Sequence, residues 1–345
     1  PRRRMWAHAP ARALRPCATA LDAMGEGILG MAPVRTGRAA HPPGGRRFPG
    51  GLEGPRRRSA DDGPRAFRQG APMEVRLAGQ VVEALSIGGV ETCFQLPAFD
   101  CCLDIGRCPP GAIGRRRLLL THAHMDHAAG LPYFVSMRAM RHLPPPKIYC
   151  PASAQADLQT ILDAWTRLDA DASRCELVGL APGERVPLGG DALAETFAAR
   201  HRVDTLGYCL VRRKKKLKAA LHGLDGQAIA ARARAGEDVN DVTEVRELCF
   251  PGDTGIEVVE REEAVRTARL LLLECTFLGE RPGRRWAHAG GHVHLDDIAE
   301  RAELFENEAI LLTHFSTRYP PREIRERVDA RLPASLRERV HLLLH

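Results

Sequence analysis

Thr121-His122-Ala123-His124-Met125-Asp126-His127 governs the reading of this chain, because four of its seven side chains can ligate a metal ion. It follows an apolar, strand-like run ending in Leu118-Leu119-Leu120 and gives way to the turn-like Ala128-Ala129-Gly130. On an extended or tightly looped backbone, side chains alternate with period two, so His122 and His124 point to one side. Asp126 and His127 are adjacent and point to different sides, so one short loop can feed two neighbouring metal positions. Imidazole nitrogens with a carboxylate suit Zn²⁺, with Mn²⁺ or Fe as alternatives. The competing reading is a polar loop with chance histidines. With 14 His among 345 residues, three of them within six positions beside an Asp speak against it.

The length fits one large or two ordinary domains, and 44% hydrophobic residues can fill a sizeable core. No run of about 18 apolar residues occurs, so no membrane partner is expected. Ten Cys without paired spacing, and no secretory apolar segment, predict reduced thiols and a cytoplasmic location. Cys101-Cys102 with Cys108 nearby offers a second zinc site, but packing beside a strand is the simpler expectation.

The net charge of +7 is unevenly spread. Residues 1–72 hold 14 Arg, no Lys and 5 acidic residues, or +9, which leaves 36 basic and 38 acidic residues, or −2, for the remainder. A charged partner of the folded part must therefore meet local patches and not a global field. The same 72 residues contain 21 Gly or Pro and no periodic apolar pattern, which predicts a disordered extension. It is Arg-rich and acid-poor like a transit peptide, yet has a single Ser, Ser59. The chain opens on Pro1 and Met73 begins the first strand-like stretch, so residues 1–72 are read as an extension that need not belong to the natural protein. Residues 73–345 are read as the folded domain.

From Met73 short strands alternate with helices. Residues 74–87 and 90–104 read as paired strands broken by Gly88-Gly89, and Leu118–Leu120 as a buried strand. A strand at Lys147–Cys150 precedes a helix near Ala154–Leu168, and strands at Glu195–Ala199 and Gly207–Val211 flank His201. Glu247–Phe250 leads into Asp253, Leu270–Leu273 into Glu274, and Ala309–Leu312 into His314, with a helix at Leu295–Leu304. Each candidate ligand thus sits at or just beyond a strand end, where α/β proteins hold their chemistry on loops. Taken singly, Asp253 could cap a turn, and His201 or His314 could be hydrogen-bonded core histidines. Their order behind the histidine loop favours one constellation.

That constellation resembles the metallo-β-lactamase superfamily, and within it the ribonuclease Z branch, over about residues 81–325. The histidine loop marks the superfamily. His201-x-Val203-x-x-x-Gly207-Tyr208, Gly252-Asp253-Thr254, Leu273-Glu274-Cys275-Thr276-Phe277, Gly291-His292 and His314-Phe315-Ser316-x-Arg318-Tyr319 are similar to ribonuclease Z specifically. The resemblance implies a four-layer αβ/βα sandwich and two Zn²⁺ ions. His122, His124 and His201 would hold one ion and Asp126, His127 and His314 the other, with Asp253 between them. Asp104 matches the superfamily's structural Asp, and Asp126 counts among the catalytic residues as well as the ligands.

Two cations lower the pKa of a water and stabilise charge on a phosphoryl oxygen. The leaving 3′ oxygen needs a proton, which the resemblance assigns to Glu274 and His292, with His288 and His294 as competitors for the histidine. Ser316 and Arg318 would bind phosphate, Arg through its two-pronged fork. RNA, precursor tRNA in particular, or another phosphodiester is the implied substrate, and a second copy of the chain a candidate partner. Two features depart from the family pattern. Ser86-Ile87-Gly88-Gly89-Val90-Glu91-Thr92 is not the usual Gly-rich opening. Residues 212–247 stand where the family's tRNA-gripping arm lies, but lack a Gly-Pro step. They carry Arg212-Arg213-Lys214-Lys215-Lys216-Leu217-Lys218 and a short helical stretch, with Arg213 and Lys215 as candidate phosphate-binding residues. Rival readings are a hydrolase of a small ester, sulfate or cyclic phosphodiester, and a non-catalytic RNA-binding or scaffold protein keeping the fold.

Overall fold

The three leucines before the histidine loop show how the layers form. Leu119 faces inward among Val82, Phe94, Leu206, Tyr208 and Leu272, while Leu118 and Leu120 face outward among Ile113, Leu131, Phe134 and Leu158. Both faces of the strand are covered, so its residues read as an unbroken apolar run rather than an alternation. The same division recurs in the second half, where Leu270 and Leu272 point between the sheets and Leu271 and Leu273 point to the outer helices.

The computed structural model describes residues 71–345 apart from 170–173 and 282. The expectation for the N-terminal extension lies, up to residue 70, outside the described residues. Two seven-stranded sheets are each laid down in chain order. The first contains β1 (Met73–Leu77), β2 (Gln80–Ile87), β3 (Glu91–Leu96), β4 (Cys101–Leu103), β5 (Arg117–Leu119), β6 (Lys147–Pro151) and β7 (Glu176–Leu180). The second contains β8 (Arg185–Gly189), β9 (Ala192–Ala199), β10 (Thr205–Leu217), β11 (Asn240–Phe250), β12 (Leu270–Glu274), β13 (Ala309–Thr313) and β14 (Val340–Leu342). In each, the first four strands pair antiparallel and the last four parallel. Parallel pairs need crossover connections, and these supply the outer helices.

Helices α1 (Met125–Ala128), α2 (Leu131–Met140) and α3 (Gln155–Asp169) belong to the first half. Helix α4 (Gly226–Arg234) lies between β10 and β11, followed by α5 (Val258–Arg261), α6 (Glu263–Thr267), α7 (Arg284–Gly290), α8 (Leu295–Glu300), α9 (Pro321–Arg331) and α10 (Ala334–Arg337). One apolar cluster joins α2 and α3 to the first sheet, one joins the two sheets, and one joins the second sheet to α5, α6, α8 and α9. This is the expected four-layer αβ/βα sandwich.

Several boundaries differ from the sequence reading. The stretch 74–87 is two strands turned at Ala78-Gly79, both with positive φ. The stretch 90–104 is divided by a 3₁₀ turn at Pro97–Phe99, and Asp100 then takes φ 49°. The helix predicted for Leu295–Leu304 stops at Glu300 and relaxes into a 3₁₀ turn. The second half of the histidine loop is a helical turn rather than extended chain. All nine described cysteines are free, and no metal-capable cluster among the described residues includes one. Cys101 packs between the sheets, whereas Cys102, Cys93 and Cys108 pack under the outer helices, where burial pushes the Cys108 thiol up to about 12. No helix among the described residues is long and apolar enough to cross a membrane.

Strands β10 and β11 outrun their sheet. β10 pairs with β9 only as far as Arg212, and β11 with β12 only at Leu248 and Cys249, while β10 and β11 pair with each other out to Leu217 and Asn240. The result is a two-stranded ribbon with α4 at its tip. At the other end of β10, the buried Tyr208 hydroxyl donates to the Leu120 carbonyl at 2.8 Å and ties the sheets together beneath the histidine loop. Tyr208→Phe leaves that carbonyl without this partner. Chemical denaturation should show a loss of about 1–3 kcal/mol, and an unchanged midpoint would mean the tie is not structural.

Candidate metal centre

Loops at the strand ends bring the candidate ligands together. His122, His124, Asp126 and His127 follow β5, and His201 sits between β9 and β10. Asp253 follows β11, and His314 follows β13 with a positive φ of 59°. Their ligand atoms form overlapping groups in which all lie within 4.8 Å of one another: His122 with His124 and His201, His122 with His127 and Asp253, and Asp126 with His127 and His314.

The hydrogen atoms on the imidazoles are set by what stands behind them. Asp104 is fully buried and accepts from the Thr121 amide at 2.7 Å, from the Thr121 hydroxyl at 2.8 Å and from His127 Nδ1 at 2.7 Å. The Thr121 hydroxyl gives its one proton to Asp104 and so accepts from His122 Nδ1 at 3.0 Å. His201 Nδ1 donates to the Gly291 carbonyl at 2.9 Å. The Thr276 hydroxyl donates to Glu274 and accepts from His314 Nδ1 at 2.9 Å. In all four rings Nδ1 carries the hydrogen, so each Nε2 turns a bare lone pair into the site, an arrangement typical of metal-binding histidines.

Those lone pairs face one another. His124 Nδ1 lies 3.1 Å from His122 Nε2 and 3.2 Å from His201 Nε2, with no hydrogen available from the latter two. His127 Nε2 and His314 Nε2 are buried without a hydrogen-bond partner among the described residues. Such an arrangement is unfavourable for neutral rings and favourable around a cation. Asp253 turns one oxygen to each group. Its Oδ1 lies 3.4 Å from His127 Nε2 and 3.6 Å from His314 Nε2, and its Oδ2 lies 4.0 Å from His122 Nε2 and 3.9 Å from His201 Nε2. Asp126 Oδ2 stands 3.5 Å from His314 Nε2 and 3.7 Å from His127 Nε2. The donor set of four Nε2 atoms, one Nδ1 and two carboxylates fits a pair of divalent cations.

The electrostatics agree. Burial holds His122 well below the ordinary histidine value and lowers His124 and His201 as well, which keeps them neutral. At His127 burial is outweighed by the Asp253 and Asp104 carboxylates, which lift it well above that value, so that without an ion Nε2 takes up a second proton in the place a cation would fill. Burial would raise the Asp253 carboxyl, but His314 and His127 hold it well below the usual range. The buried Asp104 and Asp253 carboxylates thus draw positive charge into the cluster, as a proton on His127 or as a cation in its place.

Beside the cage, Glu274 is buried and accepts from the Thr254 amide at 2.9 Å, from Thr276, and from His292 Nδ1 at 2.9 Å. With Nδ1 so engaged, His292 has only Nε2 to offer a substrate. His292 and Asp126 are 18% and 17% exposed in their side chains, against 0–5% for His122, His127, His201, Asp253 and His314. The mouth of the site is therefore on their side. The competitors are occupied elsewhere. His294 caps α8 by accepting from the Asp296 amide and donating to the Gly279 carbonyl, and the exposed His288 pairs with Asp297 at 2.9 Å.

Ser316 is partly exposed, and the exposed Arg318 guanidinium lies 5.8 Å from the Phe277 ring, which in turn meets the His292 ring. Arg213 and Lys215 are not in this cluster. They lie on the ribbon, Arg213 paired with Glu244 at 3.2 Å and Lys215 exposed with no carboxylate within 4.0 Å among the described residues. Thr121, Thr276 and the Gly291 carbonyl were not singled out from the sequence as site residues. Only a short-range signal pointed to them, a hydroxyl adjacent to His122 and another two residues beyond Glu274.

Residues 99–315 match the Beta-lactamase superfamily domain. Among curated relatives, the chain is 38% identical to the chloroplastic tRNase Z TRZ2 of Arabidopsis thaliana, over 74% of this chain and 72% of that one. It is 37% identical to tRNase Z TRZ1 of the same organism, over 78% and 96%. The metallo-beta-lactamase fold protein YhfI of Bacillus subtilis superposes with a TM-score of 0.53 at 14% identity, over 79% of this chain and 97% of that one, and shares the fold.

Asp104 orients His127 directly and His122 through Thr121. Asp104→Asn turns an amide hydrogen toward a nitrogen that already carries one, so metal affinity should fall by about 10–100-fold. Competition with a chromophoric chelator reads this. Unchanged affinity would remove Asp104 from the ligand-orienting role.

Proposed function

Because the chain belongs to the beta-lactamase superfamily and, within it, to the ribonuclease Z family, we propose that its metal-dependent ribonuclease chemistry acts on the 3′ end of precursor tRNA, with two Zn²⁺ ions as cofactor. The observation that carries this reading is the Glu274–His292 pair at the mouth of the ligand cage. The cage alone would serve any hydrolase of the fold, including one for a small ester or sulfate. A histidine tied to a buried glutamate serves a leaving group that needs a proton, as an alkoxide does.

His122, His124 and His201 would hold one ion, Asp126, His127 and His314 the other, and Asp253 both. When bound, the ions supply Lewis-acid stabilisation of a phosphoryl oxygen and lower the pKa of a water. The protein's part is positional. Glu274 holds the His292 ring so that Nε2 faces the open side, where it can protonate the departing ribose oxygen. Thr276 bridges Glu274 and His314, so proton donor and ligand share one support. Ser316 and Arg318, on the loop after His314, would receive a non-bridging phosphate oxygen.

The ribbon speaks to substrate size. Lys215 lies nine residues beyond Leu206, whose amide donates to the Thr121 carbonyl beside the cage. At the usual rise of a strand this is about 30 Å. No small phosphodiester can touch both, whereas a folded RNA can. The basic run therefore supports a large substrate, with Lys215 and Lys216 available and Arg213 and Lys214 partly engaged by Glu244 and Glu247.

A second copy of the chain is the partner proposed for the outer face of α3. Leu158 and Leu162 pack inward, and Ile161, Trp165 and Leu168 form an exposed stripe flanking that face, Leu168 being 73% exposed. Tyr133 and Met140 of the neighbouring α2 are exposed as well. Trp165→Asp with Leu168→Asp should convert a dimer to a monomer by sedimentation, and a monomeric unmodified protein would end the proposal. The proposed compartment is the cytoplasm, which imaging of the tagged full chain would check.

Three measurements test the function. Incubated with a tRNA carrying a 3′ trailer, the Zn²⁺-loaded protein should cut just after the discriminator base. Turnover of bis-p-nitrophenyl phosphate without that cut would assign the site to another phosphodiester, and no turnover of either would favour a scaffold. Asp253→Ala should lose metal and activity together, whereas His292→Ala should keep metal and lower kcat by about 10²–10⁴-fold. Replacing Arg213, Lys214, Lys215 and Lys216 by Ala should weaken cleavage of precursor tRNA and spare the small diester. The salt slope should fall by about 0.7–0.9 for each phosphate that the ribbon no longer neutralises. Equal loss on both substrates would refute the ribbon's role.

A further inference from the structure

The Gly88-Gly89 turn between β2 and β3 departs from the family's opening motif, yet it reaches the site from the far sheet. The Gly88 amide donates to the Phe315 carbonyl at 3.1 Å, and Gly88 bridges to Ser316 in a parallel β-bridge. A Cβ on Gly88 would lie 2.7 Å from the His314 carbonyl oxygen, a backbone atom that cannot rotate away. The next amide, Gly89, donates to Asp126 Oδ2 at 3.0 Å from a backbone with φ +69°. Two residues on, the buried Glu91 accepts from the Arg107 amide and is paired with the Arg107 guanidinium at 2.7 Å. The Glu91 carboxylate thereby holds the loop whose Ile105 and Gly106 amides donate to the His127 carbonyl at 2.9 and 3.0 Å.

One turn thus supports Asp126, His127 and His314, and none of these interactions involves His122, His124 or His201. We propose that the Ile87–Glu91 turn is a positioning element for one metal position alone, set beside Asp104 and Asp253, which serve both positions. The inference rests on the two-ion reading. Asp126 is the most exposed of the ligands in that group, and its carboxylate has few other restraints. Without the Gly89 amide it can rotate to solvent, and without close passage at Gly88 the strained His314 backbone can relax.

The opposite support can be disturbed separately. Gly291 has φ +69°, and a Cβ there would meet His201 Cα at 2.8 Å and Nδ1 at 3.1 Å. Gly88→Ala and, as a milder second variant, Glu91→Gln should each bind one ion per chain where the unmodified protein binds two, measured by elemental analysis after gel filtration. In the Co²⁺-loaded protein, the shifted Nδ1–H proton signals of His122 and His201 should persist, while those of His127 and His314 lose their shift. Gly291→Ala should give the reverse pattern. Gly89→Asn keeps the amide and tolerates positive φ, so it should retain both ions. Loss of both ions together in Gly88→Ala and Glu91→Gln, with circular dichroism unchanged, would overturn the proposal, as would two ions retained in both. A single ion in the unmodified protein would instead defeat the two-ion reading itself.

Discussion

A hydrogen on Nδ1 of four histidines is the constraint on which the site depends. Asp104, Thr121, Thr276 and the Gly291 carbonyl each fix one of these hydrogens from behind, and the result is convergence of Nε2 lone pairs on two neighbouring points. In an apolar setting that convergence is costly, since no donor among the described residues relieves His127 Nε2 or His314 Nε2. The rest of the fold holds the rings in place against that cost. Leu118 to Leu120 anchor the histidine loop to both sides of the first sheet, and Leu270 to Leu273 anchor Glu274 in the same way to the second.

The two sheets repeat one plan, antiparallel strands followed by parallel ones. The candidate ligands all sit on short loops beside rigid strand ends, most after strands of the parallel halves and His201 in the antiparallel β9–β10 connection. Asp253 belongs to the second sheet but lies between the two groups of candidate ligands, which puts the candidate metal centre at the junction of the halves. The ribbon of β10 and β11 extends away from that junction. The candidate metal centre and the basic run therefore lie at opposite ends of the same strand pair.

Much of this was legible because the signals are local. The histidine loop shows its candidate ligands within seven residues, and the strand before it shows its burial as three leucines. The order of His201, Asp253, Glu274 and His314, each just past an apolar run, placed the remaining groups. The less legible features depend on packing across the fold. Nothing in Ser86–Thr92 shows that Gly88 passes under His314, 226 residues later. Likewise, the choice among His288, His292 and His294 rests on which one meets Glu274, and only tertiary packing decides that. The bends at Ala78-Gly79 and Asp100 were missed because non-glycine residues there adopt positive φ, which propensity alone argues against.

Anomalous diffraction at the zinc edge from crystals grown with Zn²⁺ tests the central claim most directly. Two peaks are expected to flank Asp253, each at about 2.0–2.1 Å from its histidine nitrogens, one bound through Nδ1 of His124 and Nε2 of His122 and His201, the other through Nε2 of His127 and His314. A single peak, or two peaks with Asp253 turned away from both, would contradict it.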